Sequence, residues 1–142
     1  MTTATQDAPA MPPPAEVKGG VVTYLQLQGA TRAAEFYQKA FAAEVASMVP
    51  PDDQGRTMHI HLYINGSSVM LSDFYPEHGH AFKPAQGFTL CIMTEEVDAW
   101  FDRAAQAGCE VVMPLADMFW GDRYGELRDP FGVSWAMNGR KL

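Results

Sequence analysis

The stretch FWGDRYGELRDPFGVSW, residues 119–135, holds two turns and two extended segments. Phe119 to Gly121 form a tight aromatic turn, and Asp129-Pro130-Phe131-Gly132 form a second one. An alternating strand follows and runs to Met137. A strand placed after such a turn often carries an acid, a base or a metal ligand into a pocket, but this one carries Ser134, Trp135, Ala136 and Met137.

Working outward, a matching arrangement lies one spacing of 66 residues upstream. TMHIHLYINGSSVMLSD, residues 57–73, alternates about the hairpin signal Asn65-Gly66, and Gly66 is aligned with Gly132. The same spacing relates Glu44 to Glu110 and Thr23 to Thr89. VVTYLQLQ, from Val21, is β-branched and alternating and reads as a strand. TRAAEFYQKAFAAE then sets Ala33, Phe36, Tyr37, Ala40 and Phe41 on one helical face, with Thr31 as the expected N-cap. A short strand from Val45 to Val49 stops at Pro50. In the second half, GFTLCIMT reads as a strand and EEVDAWFDRAAQAG as a helix, with a stripe of Val97, Trp100, Phe101, Ala104 and Ala105 closed by Gly108. CEVVM reads as a strand stopped by Pro114.

The predicted fold is α+β, with two tandem β-α-β-β-β modules forming a curved mixed sheet around a cleft and helices outside. Module 1 covers about residues 21–73, FYPEHGHAFKPAQ (74–86) links, and module 2 covers about 87–138 of a single domain over 19–142. Residues 1–18, rich in Pro and Ala, read as a disordered tail.

With 17 acids against 10 bases, a net charge of −7 and no basic cluster, nucleic acid and anionic membrane surfaces are excluded as partners. No apolar run approaches the roughly 20 residues of a membrane span, and no secretory signal pattern is present, so a cytoplasmic location is expected. Cys91 and Cys109 are too few for a disulfide framework and read as buried reduced thiols. The sequence has no Rossmann fingerprint or phosphate-cradling glycine loop, and nothing in it supports a Ser-His-Asp triad.

AAEFYQKAF, MHIHLYINGSSVMLSD and FWGDRYGELRDPFGVSW resemble the vicinal-oxygen-chelate superfamily of glyoxalase I, bleomycin-resistance proteins and extradiol dioxygenases, and within it the PhnB-like branch. The resemblance implies a cleft in each module and, in metal-bearing members, an ion held by His, Gln or Glu from the first and last strands. Those positions fall here on Thr23, Met70, Thr89 and Ala136, none of them a usual ligand; among the immediate neighbours only Tyr24 could ligate. Val133 stands where many PhnB-like members carry His. The resemblance therefore implies binding of a small molecule without metal or catalysis, as in bleomycin-resistance proteins, by a homodimer.

Seven residues are candidates for ligand binding. Thr23 and Thr89 would face the cleft together with Leu25, Leu27, Cys91 and Met93, and His59 and His61 share one face of their strand. Trp120 could stack on a ligand, with Arg123 meeting an anionic group and Tyr124 completing the wall. These side chains also have structural readings: the histidines line a pocket or core, Trp120 packs the turn, and Arg123 pairs with Asp122, Asp129 or backbone carbonyls. The enzymatic alternative is a lyase, isomerase or dioxygenase using a divalent metal on His59, His61, Glu77, His78 and His80. A third reading has the cleft filled by the protein's own side chains.

Overall fold

Ile60, Leu62 and Ile64 alternate with His59, His61 and Tyr63, so one face of their strand is apolar and must find cover. In the computed structural model, which describes residues 14–140, the cover comes from a helix, and the scheme recurs in the second half. The elements run β1 (Thr23–Leu27), α1 (Ala30–Phe41), β2 (Glu44–Met48), β3 (Ile60–Ile64), β4 (Ser67–Asp73), then β5 (Leu90–Met93), α2 (Val97–Ala107), β6 (Glu110–Asp117), β7 (Asp122–Arg128) and β8 (Ser134–Arg140). A 3-10 turn, Pro76–His78, sits in the linking loop. The strands form two four-stranded mixed sheets, ordered β1-β4-β3-β2 and β5-β8-β7-β6, in which the β1–β4 and β5–β8 pairs are parallel. No helix of the described residues is long and apolar enough to cross a membrane.

One apolar core serves both modules. Leu25, Leu27, Ile60, Leu62 and Leu71 of the first sheet join Ile92, Leu127, Trp135 and Met137 of the second, with the buried faces of α1 and α2 among them. Phe41 of α1 stacks on Trp135 of β8 at 4.1 Å between ring centroids. Tyr37 packs edge-on against the same indole at 5.3 Å.

Two buried carboxylates organise the turns. Asp129, 4% exposed, accepts the Phe131 and Val133 backbone N–H groups on Oδ1 (2.8 and 3.0 Å) and the Tyr37 hydroxyl and Trp135 indole N–H on Oδ2 (2.6 and 2.9 Å). This is the physical content of the Asp-Pro-Phe-Gly turn. Asp73, at the end of β4, accepts the N–H groups of Gly29 and Ala30 on Oδ1 and of Thr57 on Oδ2. A carboxylate from another strand thus caps α1. The helix accordingly starts after Gly29, held at φ 87°, and Thr31 lies inside it instead of serving as the N-cap.

Three other expectations are corrected. Pro114 does not end β6, which continues to Asp117 with register shifts on either side of Met113; as the outer strand of its sheet, β6 tolerates a residue without an N–H. Of the expected tail, residues 1–13 lie outside the described residues, but 16–18 are fastened. The Lys18 N–H donates to Ser68 Oγ at 2.7 Å, its carbonyl accepts the Ser68 N–H, and the Tyr63 hydroxyl donates to the Glu16 carbonyl. Cys109 is buried, but Cys91 is exposed because it lies on the face of β5 turned from the core.

Replacing Asp129 with Ala leaves Tyr37, Trp135 and two backbone N–H groups without their acceptor, and should cost about 3–5 kcal/mol. Urea unfolding followed by tryptophan fluorescence checks this. A loss below about 1 kcal/mol would contradict the role assigned to the carboxylate.

Candidate ligand-binding site

Side-chain parity divides each sheet into a core face and an opposite face. Cross-strand pairing puts Tyr24 of β1, Met70 of β4 and His61 of β3 in one row on the opposite face of the first sheet. In the second sheet, Cys91 of β5, Ala136 of β8 and Glu126 of β7 form the corresponding row. The uniform 66-residue alignment holds for β2 and β6 and for β4 and β8, but it slips by one residue in each of the other strand pairs. Thr23 pairs with Val69 and is equivalent to Leu90, which pairs with Trp135, so Thr23 and Thr89 are not counterparts. His59 and His61 correspond to Tyr124 and Glu126. A slip of one residue turns every side chain of a strand to the other face, so spacing alone could not resolve it.

The strand positions beside Met70 and Ala136 are therefore Tyr24 and Cys91, not Thr23 and Thr89. A thioether and a methyl group are poor partners for the divalent ions that the family resemblance implies, and the set of Tyr24, Met70, Cys91 and Ala136 contains no imidazole and no carboxylate. The four residues do not fit a metal centre of that kind. The other proposed ligand set is not assembled either. Arg56 holds Glu77 through two hydrogen bonds, at 3.0 and 2.6 Å, which bring its carboxyl down to about 2. Among the described residues no group of three or more His, Cys, Asp or Glu side chains is placed to share an ion.

Both histidines lie on the face away from the core. His59 Nδ1 is 3.2 Å from the Tyr24 hydroxyl. His61 is 3% exposed, with Nε2 2.7 Å from Ser68 Oγ, the same oxygen that accepts from Lys18. Burial, and then the neighbouring His59, hold the His61 pKa below its ordinary 6.5.

Ser68 links His61 to a cleft of about 410 Å³ between the two modules, where the Asn65 side-chain amide donates to the Met93 carbonyl. Thr23 and Thr89 both line this cleft, with Ser67, Ser68 and Asn65 supplying further polar atoms and Ile64, Val69, Phe88, Leu90 and Trp135 the apolar wall. Among the described residues its lining contains no Asp, Glu, His, Lys or Arg, and the Cys91 thiol is the titratable group there.

The turn candidates lie elsewhere. Trp120 and Tyr124 pack edge-on at 6.0 Å, and the Tyr124 hydroxyl donates to Glu126 at 2.9 Å. Burial and that hydrogen bond push Tyr124 up to about 12. Arg123 has the opposite parity and pairs with Asp98 of α2 at 2.6 Å and with Asp117 at 3.2 Å, instead of Asp122 or Asp129. Sequence reasoning missed Glu126 as a member of the row with Cys91. Its signal was alternation with Leu127, which is legible once Leu127 is assigned to the core.

Residues 22–137 match the Glyoxalase/Bleomycin resistance protein/Dioxygenase superfamily. The chain belongs to that family. It is 39% identical over 127 residues to an uncharacterised protein of Mycobacterium bovis (strain ATCC BAA-935 / AF2122/97), covering 85% of this chain and 83% of that one. Among solved structures, a PhnB protein from Bacillus cereus superposes with a TM-score of 0.62 at 29% identity, over 85% of this chain and 99% of that one. TnmS3, an antibiotic-binding protein from Streptomyces sp. CB03234, superposes with a TM-score of 0.63 at 20% identity, over 91% and 98%, a likeness of fold. Membership agrees with the two-module α+β architecture described above.

The depressed His61 pKa predicts an acid-side loss of stability. Below about pH 6.5 the unfolded chain binds more protons at this residue than the folded one, so stability falls as pH falls. His61→Gln should flatten the urea midpoint between pH 7.5 and 5, within the roughly neutral-to-acid range where His titrates. Parallel pH profiles for the two proteins would count against it.

Proposed function

We propose that this chain is a PhnB-like, cytoplasmic binding protein that sequesters a small, largely uncharged molecule in the cleft between its modules, without a metal and without catalysis. One observation carries the reading. Among the described residues the cleft has hydroxyl, amide and apolar surface but no carboxylate, imidazole, amine or guanidinium, and the pKa of its thiol is raised. Hydrogen-bonding and apolar groups suffice to hold and orient a compact ligand, whereas proton transfer needs a titratable group within reach. The volume lies at the small end of the roughly 300–1,000 Å³ range for ligand pockets. TnmS3, which binds an antibiotic, shows that the shared fold can serve binding, and the 29% identity to the PhnB protein supports the branch.

The reading includes a homodimer. The second module exposes Met93 (61%), Phe119 (97%) and Trp120 (51%) together with Val111, Val112 and Met113 of β6. These exposed apolar side chains are the candidates for an association surface.

Native mass spectrometry of protein purified from its own host tests the binding. Each chain should carry one organic molecule, recoverable unchanged on denaturation, and Thr89→Trp, which fills the exposed rim of the cleft, should lack it. Near-stoichiometric divalent metal that disappears in a His59→Ala/His61→Ala variant would overturn the reading, as would a released molecule chemically altered by turnover. For the assembly, sedimentation should give a dimer that Val112→Glu/Phe119→Glu converts to monomer. A wild-type monomer at about 50 µM, above ordinary dimer dissociation constants, would remove the homodimer.

A further inference from the structure

A second cavity, of about 600 Å³, opens where the end of β1 meets the linking loop and the Asp129–Gly132 turn. Its chemistry is opposite to that of the whole chain. Arg32, Lys83 and Arg128 all line it and, among the described residues, no acidic side chain does, although the protein carries a net charge of −7. None of the three cations has a salt bridge among the described residues; the bridges there belong to Arg56 and Arg123. The two buried carboxylates beside this region are already engaged: Asp73 accepts three backbone N–H groups, and Asp129 accepts two backbone N–H groups, the Tyr37 hydroxyl and the Trp135 indole N–H. At physiological salt the screening length is about 8 Å, so the acids elsewhere on the chain count for little inside the cavity, where three cations face the two hydrogen-bonded carboxylates Asp73 and Asp129.

The position of Arg32 depends on the backbone beneath it. Its Nη2 lies 2.6 Å from where a Cβ on Gly29 would stand, and Gly29 has a φ of +87°. Glycine suits the left-handed turn, and the flexible guanidinium folds over the space left by its missing side chain. The apolar half of the cavity is aromatic. Phe74 and Phe82 meet edge-on at 5.3 Å, Phe82 is 53% exposed, and Phe131 and Leu27 complete the wall. An exposed aromatic edge beside cations that make no salt bridge suits a molecule with a flat apolar body and an anionic head.

We propose that this cavity is a second binding site, distinct from the cleft between the modules, for an organic anion with an aromatic or other apolar body and a carboxylate, sulfonate or phosphate head. Arg32 and Arg128 receive the head, Lys83 adds charge at the rim, and Phe82 packs on the body. The site goes beyond the sequestration reading and does not depend on it.

Fluorescence titration of the full chain with 1-anilinonaphthalene-8-sulfonate, compared with the uncharged N-phenyl-1-naphthylamine, tests the proposal. The sulfonate should bind once per chain and more tightly than the neutral compound. Arg32→Gln/Arg128→Gln should weaken the sulfonate at least about tenfold while changing the neutral compound less than about twofold. Phe82→Ala, at an exposed position, should weaken both. Raising salt from about 50 to 500 mM should weaken only the sulfonate. The proposal is overturned if the arginine variant, with circular dichroism matching the parent, binds the sulfonate as before, if the neutral compound binds as tightly as the sulfonate, or if no sulfonate binding is seen.

Discussion

The Asp129 carboxylate is the point on which the two modules depend together. It belongs to the turn before β8, yet one of its four donors, the Tyr37 hydroxyl, comes from α1 of the other module. The bond is made deep inside: Asp129 is 4% exposed and Tyr37 is fully buried. Burial and the adjacent carboxylate hold the Tyr37 phenol well above its usual range, so it stays a donor at any ordinary pH. A buried carboxylate is tolerable only when fully hydrogen-bonded. Satisfying Asp129 therefore requires α1 to lie against the second sheet, and that placement brings Phe41 onto Trp135 and fuses two half-cores into one.

That fusion fixes which faces remain for function. With the apolar face of each sheet committed to the shared core, the opposite faces carry Tyr24, Met70 and His61 in one sheet and Cys91, Ala136 and Glu126 in the other. The seam between the sheets is left partly open and lined with small hydroxyl residues. The two cavities differ in character because they lie at different places on this frame: the seam is uncharged, while the end of β1 collects arginine and lysine from three separate segments.

Much of the fold was legible because it is written in periodicity. The helical faces through Tyr37 and Phe101, the Asn65-Gly66 hairpin and the duplicated order of elements follow from alternation, stripe and turn chemistry. Facing was the part that sequence could not deliver. One spacing of 66 residues fits β4 and β8, but β1 and β3 each differ by one residue from the value that would align them with β5 and β7, and one residue exchanges inside for outside. The cap of α1 was hidden for a related reason: its acceptor, Asp73, lies 43 residues beyond Ala30 and belongs to a different element. Of the candidate residues, Thr23 and Thr89 both line the seam, His61 reaches it through Ser68, and Arg123 lies on the opposite parity, where it pairs with Asp98. Arg32 and Arg128 carried no local signal, since their proximity arises only when the modules dock.

The irregular outer strand of the second sheet has a consequence for how this molecule can meet others. β6 exposes Val111, Val112 and Met113, a composition that in a flat strand would invite backbone-to-backbone extension and fibre growth. Pro114 removes one donor from that edge, and the two register shifts break the repeat that an incoming strand would need to follow. Strand addition is thereby discouraged while the apolar side chains stay available, so contacts made by this face are pushed toward side-chain packing, which closes into finite assemblies more readily than an open edge does.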